Sequence, residues 1–242
     1  MKNLSVIIFL FYCFAQGVIA QKSSSCSCSN IINGASEPNL PGDLFYEKNV
    51  STPNIYFYPD FLEGDIYLKN GECSKGKYIR YNGLKDEIIM LQKDSVVFIK
   101  LDKYYINAFT LNIYHGSDTV FFKKIKVKLD MEADSSYVFG QLLYEGNLSL
   151  YVYRRSVPAG MEINSTGSGM YGKDIFVFSP IYYFMLPDKT TIGFKSFRKK
   201  HIIKLFPGKE DEVKKLLKEN HQKHYKGEYD LRRIAYILNM LF

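Results

Sequence analysis

Two Asn-Gly pairs, Asn70-Gly71 and Asn82-Gly83, stand between runs of β-forming residues, and this punctuation constrains the chain more than any other feature. Asn-Gly favours the positive backbone angles of tight hairpin turns, so runs on either side of it pair antiparallel. Asp65 to Leu68 precedes the first pair, Lys77 to Tyr81 lies between the two, and Glu87 to Leu91 follows the second. Ser95 to Leu101 comes next, across Gln92-Lys93-Asp94. The spacing predicts a meander. Ala108 to Tyr114 reads as a further strand, closed by His115-Gly116-Ser117-Asp118. In Val120 to Leu129 the apolar Ile125, Val127 and Leu129 alternate with Lys124, Lys126 and Lys128, the pattern of a half-buried strand with a lysine face. Tyr137 to Tyr144 and Leu148 to Arg154 flank Glu145-Gly146-Asn147, another hairpin. Asn164 to Gly169 reads as a flexible loop. Asp174 to Leu186 and Thr191 to Phe194 are the last strands, around Pro187-Asp188-Lys189.

The hydrophobic period changes after Ser196. Phe197 to Phe206 is predicted helical with Ser196 as N-cap, and Pro207-Gly208 breaks it. Glu210, Asp211 and Glu212 open a second helix and Lys214, Lys215 and Lys218 lie toward its end, an order that complements the helix dipole. A third helix starts near Tyr229-Asp230, with Leu231, Ile234, Leu238 and Leu241 on one face. Helices clustered after strands imply an α+β fold: mainly antiparallel β-sheet (meander, sandwich or half-barrel) with a C-terminal helical section. The expected organisation is a leader over 1–20, a Ser/Pro/Asn-rich tail or irregular entry over 21–60, a β domain over 61–195 and helices packed on it over 196–242.

The first twenty residues carry Lys2, an apolar run from Leu4 to Ala15, and Val18-Ile19-Ala20 before a polar flank. A basic start, a short apolar core and small residues before a cut form a secretory signal, with cleavage expected after Ala20. The run is shorter than the roughly 20 apolar residues a spanning helix needs. Export permits disulfides and disfavours chemistry that depends on cytosolic nucleotides. With Cys13 lost, Cys26, Cys28 and Cys73 remain, an odd count. Cys26 and Cys28 are too close to pair without strain, so the candidate disulfide joins one of them to Cys73. Free thiols and a Cys-x-Cys metal site are the alternatives.

Charge is unevenly placed. Between Lys195 and Arg233 there are thirteen Lys/Arg against six Asp/Glu, while residues 21–194 carry about −1 of the chain's formal +7. Arg198, Lys199, Lys200, Lys204, Lys214, Lys215 and Lys218 form a candidate patch for an anionic partner, or else the solvated side of helices. Binding to anionic vesicles that fades with salt distinguishes the two. No phosphate loop, dinucleotide fingerprint, His-Glu-x-x-His stretch or nucleophile elbow occurs; Gly167-Ser168-Gly169 lacks the elbow spacing. His221 and His224 would share a face if the second helix reached them, with Glu228 one turn on. Asp130, Glu132 and Asp134 alternate and offer the one visible cluster for a carboxylate pair or for calcium. No catalytic residue, metal ligand or cofactor follows from these patterns. The chain has 20 Tyr, 18 Phe and no Trp, and Tyr104-Tyr105, Tyr151 with Tyr153, and Tyr182-Tyr183-Phe184 fall on predicted strands. Outward-facing tyrosines suit sugar or peptide recognition; inward-facing ones fill a core without Trp. Asn49, Asn147 and Asn164 head Asn-x-Ser/Thr triplets, which matter in a eukaryotic host.

Tyr78-Ile79-Arg80-Tyr81-Asn82 after the Gly64–Gly71 hairpin, Tyr144 to Tyr151, and Asp230-Leu231 through Ile237-Leu238-Asn239 resemble secreted proteins of Bacteroidota that have no assigned activity. The resemblance covers roughly 61–239 and implies an envelope protein of a Gram-negative host. It brings no catalytic residues. The expectation is therefore an exported, non-catalytic binding or scaffolding module, secreted or periplasmic, whose partner is an envelope protein, a glycan or an anionic lipid surface. A glycan-directed hydrolase using an Asp/Glu pair and a peripheral membrane protein docking through the basic helices are the alternatives. Nucleic-acid partners are not expected.

Overall fold

The computed structural model describes residues 38–46, 55–92, 94, 97–113, 118–129, 134–166 and 169–242. Its strands are β1 (Gly42–Leu44), β2 (Leu62–Leu68), β3 (Cys73–Asn82), β4 (Glu87–Gln92), β5 (Val97–Leu101), β6 (Ile106–Ile113) and β7 (Asp118–Lys128). They continue as β8 (Ser135–Tyr144), β9 (Ser149–Tyr153), β10 (Ser156–Thr166), β11 (Gly169–Phe178), β12 (Ile181–Met185) and β13 (Thr191–Phe194). Eleven of them make one open antiparallel sheet in the order β1-β5-β4-β3-β2-β6-β7-β8-β9-β12-β13. Two meanders are thus joined at β2–β6, and the chain returns past three strands to make that join. The helices α1 (Lys199–Lys204), α2 (Glu210–Glu219) and α3 (Glu228–Leu238) follow, so the fold is α+β as the sequence predicts.

Turn chemistry explains the first hairpins. Lys69, Asn70 and Gly71 form a three-residue loop in which the Gly71 amide donates to the Leu68 carbonyl, and Gly71 takes φ +89°. That left-handed angle is cheap only for glycine. The second turn differs from the two-residue form its Asn-Gly suggests. Asn82 pairs with Glu87, leaving four residues between them, and Asp86 rather than Gly83 holds the positive angle, φ +56°. Asn82 Oδ1 accepts the Leu84 and Lys85 amides at 3.0 and 3.2 Å, an Asx turn that builds the wider loop.

A row of directly opposed residues crosses the sheet on one face. Ile99, Met90 and Ile79 are aligned, and after a bulge in β2 the row continues through Ile66, Phe109, Phe122, Gln141, Val152, Tyr182 and Phe194. The left half of this face is a core of Ile66, Ile79, Tyr81, Phe109, Phe122 and Phe139 with their neighbours. Phe109 stacks on Phe122 at 4.6 Å and meets Phe139 edge-on at 5.2 Å. The right half is covered by the helices, which bury Ile202, Val213, Leu217, Leu231, Ile234 and Leu238 against Leu150, Val152, Tyr182 and Phe184. The opposite face of the right half carries a third cluster: Ile125, Val127, Val138, Leu142, Tyr151, Tyr153, Ile181 and Tyr183. The sheet closes over it where β13 approaches β7 and Thr191 Oγ1 donates to the Lys126 carbonyl at 2.9 Å. β9 and β12 are therefore buried on both faces, which is why their sequences read as continuous apolar and aromatic runs.

The C-terminal section departs from expectation at its ends. Helix α1 begins at Lys199 with Arg198 at the N-cap; Ser196 is not the cap, and its Oγ only meets the Arg198 amide at 3.4 Å. Helix α2 stops at Glu219. The His221 amide donates to the Lys218 carbonyl, the Gln222 amide to that of Leu217, and His221 takes φ +52°, a Schellman ending. The segment Asp174 to Leu186 is two strands split at Ser179-Pro180, and Asn164 to Gly169 contains the tip of the β10–β11 hairpin. That hairpin forms a separate two-stranded ribbon, closed at its base by the Ser179 amide on the Arg155 carbonyl at 2.8 Å. In the entry segment, β1 adds to the edge of β5, and Tyr56 bridges to Asn82. No helix among the described residues is long and apolar enough to cross a membrane.

Phe109 is wholly buried between three aromatic rings. Phe109→Ala is expected to lower stability by about 3–5 kcal/mol, the usual range for emptying such a site, and Phe109→Leu by much less. Urea unfolding followed by tyrosine fluorescence reads the difference.

Candidate functional site

Of the aromatic groups the sequence singles out, Tyr151, Tyr153, Tyr182, Tyr183 and Phe184 are core residues. Tyr104 and Tyr105 face outward, 67% and 47% exposed. Their rings meet edge-to-face at 5.1 Å and 89° on the loop between β5 and β6. They border a cleft of about 630 Å³, whose other walls are Asn39 and Pro41 before β1, Leu68 at the end of β2, and Lys69, Asn70 and Glu72 from the first hairpin. The Lys69 ammonium lies 3.6 Å from the centre of the Tyr104 ring, a cation–π contact. Asn70 and Glu72 hold each other: Asn70 Nδ2 donates to Glu72 Oε2 at 2.8 Å, and the Glu72 amide to Asn70 Oδ1 at 3.1 Å.

The loop that carries the tyrosines is fixed from several directions. The Tyr104 amide donates to Asp102 Oδ1 at 2.8 Å and the Lys69 amide to the Tyr105 carbonyl at 2.9 Å. The Asp102 amide donates to the Pro41 carbonyl at 2.9 Å. From β7 below, Lys124 Nζ donates to the Lys103 carbonyl and, at 3.4 Å, to that of Tyr104. Lys103 Nζ donates to Asp86 Oδ2 and to the Tyr137 carbonyl at 2.5 Å. Two lysines therefore tie the loop to β7, to β8 and to the β3–β4 turn.

Asp86 is the buried end of this clamp. Its Oδ1 accepts the Tyr81 hydroxyl at 2.6 Å and the Phe139 amide at 3.1 Å, just past the end of the β8–β9 ladder. Burial raises its carboxyl above the usual range, against the opposing pull of Lys103, Tyr81 and the Phe139 amide. Burial, then the neighbouring Asp86, raises the Tyr81 hydroxyl well above its ordinary value. Lys124 is pushed down to about 8, first by desolvation and then by the like charges of Lys69 and Lys103. Three lysines thus crowd one corner of the sheet beside the tyrosine pair.

A second polar cluster lies between the two cores of the shared face. Arg154 grips Glu228 of α3 with both terminal nitrogens, at 2.5 and 2.8 Å, and its Nε donates to Gln141 Oε1 at 2.7 Å. The Tyr182 hydroxyl donates to Glu228 Oε1 at 3.0 Å. Burial raises the Glu228 carboxyl, but the Arg154 hydrogen bonds and charge, with Tyr182, outweigh it and hold the group below its ordinary value. This cluster anchors α3.

The remaining sequence candidates separate. Arg198, Lys199, Lys200, Lys204, Lys214, Lys215 and Lys218 are all exposed on or beside α1 and α2, and Lys215 reaches Glu219 at 3.9 Å. His221 and His224 lie beyond the end of α2, so they share no helix face, and Glu228 is occupied by Arg154. Cys73 is buried as the first residue of β3; Cys26 and Cys28 lie outside the described residues, as do His115, Asn49, Asp130, Glu132, Gly167 and Ser168. Asp134 is described and exposed. Sequence reasoning missed Asp86, Lys69 and Lys103. Asp86 looks like any turn aspartate, and its place beside β8 depends on how the sheet curls. Comparison with protein-family models, curated proteins and solved structures returned no match.

The depressed Glu228 carboxyl gives stability that is present above the unfolded carboxylate range and lost as pH falls through its folded value. Glu228→Gln is expected to cost about 1–3 kcal/mol at neutral pH, as for a charged hydrogen-bonded group, with the deficit shrinking below about pH 4. Denaturant midpoints of both proteins across that range measure it.

Proposed function

We propose that this chain is an exported, non-catalytic binding module of a cell envelope, and that the Tyr104–Tyr105 cleft is its recognition surface. The observation that carries the reading is the pair itself: two large side chains left in solvent on a loop that is tied down on every side. Exposed aromatics cost hydration, and a pre-ordered loop reduces the entropy a ligand must overcome. The clamp of Lys103, Lys124 and Asp86 lies beneath the loop, not in the cleft, so it serves position and not chemistry. Export is supported by the leader-like composition of residues 1–20.

Two experiments test this. Immobilised protein incubated with fractionated envelope glycans and proteins is expected to retain a component that the Tyr104→Ala/Tyr105→Ala variant releases, with unchanged thermal unfolding. Retention indifferent to both tyrosines overturns the cleft as the surface. For the exported state, we propose cleavage after Ala20 and a bond from Cys73 to Cys26 or Cys28, which suits the buried position of Cys73 at the edge of the first hairpin. Intact mass of protein recovered from outside the cytosol is expected to start at Gln21 and to rise by about two hydrogens on reduction. A mass that includes Met1, or one unmoved by reductant, contradicts the corresponding part.

A further inference from the structure

We infer that the cleft takes an acidic saccharide, a pyranose bearing a carboxylate, with its ring against Tyr105 and its charge toward Lys69. The inference rests on the reading of the cleft as a recognition surface and adds the class of ligand.

Three observations point to it. The first is shape. Two tyrosine rings at right angles present flat apolar faces with hydroxyls at their rims, and a sugar ring has the matching pair of surfaces, C–H groups on one face and hydroxyls around the edge. The second is backbone accounting. The Tyr104 and Tyr105 amides go to Asp102, the Tyr105 carbonyl accepts from Lys69, and the Lys103 and Tyr104 carbonyls accept from Lys124. An extended peptide recognised by main-chain pairing finds these groups already engaged, so the loop reads a ligand through side chains. The third is charge. Of the lysines crowded here, Lys103 is engaged by Asp86 and Lys124 by the loop carbonyls, while Lys69, seated over the Tyr104 ring, is the ammonium that lines the cleft wall. Burial first, and then the charges of Lys69 and Lys103, lower Lys124. Glu72, the acidic residue of the wall, is turned onto Asn70. Asp86 and Asp102 offset the deeper lysines, so the exposed cation of the wall is Lys69, and a carboxylate placed beside it gains an ion pair that a neutral sugar does not.

The test is calorimetric titration of the full exported chain with oligogalacturonate, oligomannuronate and a glucuronate-containing oligosaccharide, each as free acid and as methyl ester. At least one acid is expected to bind about tenfold more tightly than its ester, a difference of about 1.4 kcal/mol, and to weaken with salt. Lys69→Met is expected to bring the acid down to the level of the ester. Tyr105→Ala is expected to abolish both and Tyr105→Phe to keep both, with thermal unfolding confirming that each variant folds. Equal affinity for acid and ester, or indifference to Lys69→Met, overturns the charged class. Binding that survives Tyr105→Ala overturns the placement. If none of the saccharides binds, the inference falls, while a tyrosine-dependent envelope component retained in the earlier experiment leaves the binding-module reading in place.

Discussion

Burial of β9 and β12 on both faces is the constraint on which the rest of the molecule depends. One face of these strands meets the helices through Leu150, Val152, Tyr182 and Phe184; the other closes over Tyr151, Tyr153, Ile181 and Tyr183. A sheet can satisfy both only if helices cover one side and the sheet curls over the other. Arg154 sits where the two halves of the shared face meet, and its hold on Glu228 fixes α3 against that seam. Such a pair contributes position as much as net energy, since removing either member leaves a partly buried charge. The turn at Gly146 shows how closely the helical end docks. A Cβ there would lie 2.5 Å from Asn239 Oδ1, which accepts the Leu148 amide at 2.9 Å.

The clamp below the tyrosine loop follows from the same curling. Asp86, on a turn between β3 and β4, reaches the Phe139 amide of β8 only because the left half of the sheet bends that way. Lys124 belongs to the lysine-bearing side of β7, whose other members, Lys126 and Lys128, are exposed. One side of this strand thus sends Phe122 into the core, Lys124 beneath a distant loop, and Lys126 and Lys128 into solvent.

Much of the fold is legible in the sequence, because turn residues and alternation act locally. The hairpins around Asn70-Gly71 and Glu145-Gly146-Asn147 and the helix over Glu210–Glu219 are read from a few adjacent positions each. What is not legible is long-range. Nothing in Ile106–Ile113 announces that it pairs with β2 rather than β5. β10 escapes notice because Pro158, Ala159 and Gly160 interrupt its alternation at a bulge, and the Gly/Ser-rich stretch at its tip looks like a linker. The site shows the same division. Tyr104-Tyr105 and Tyr182-Tyr183 look alike in the chain; only the packing of strands separates the exposed pair from the buried one. The histidines failed for a local reason, a left-handed residue at His221 that ends α2 before they can align.

The β10–β11 ribbon lies between two strands, β9 and β12, that are hydrogen-bonded neighbours in the sheet. Its base is pinned at Arg155 and Ser179 and by the Ser156 amide on the Gly83 carbonyl, and among the described residues it shares a ladder with no other strand. Length can therefore be added to or taken from this arm in paired steps without shifting the register of anything else, which makes it the part of the architecture most open to divergence.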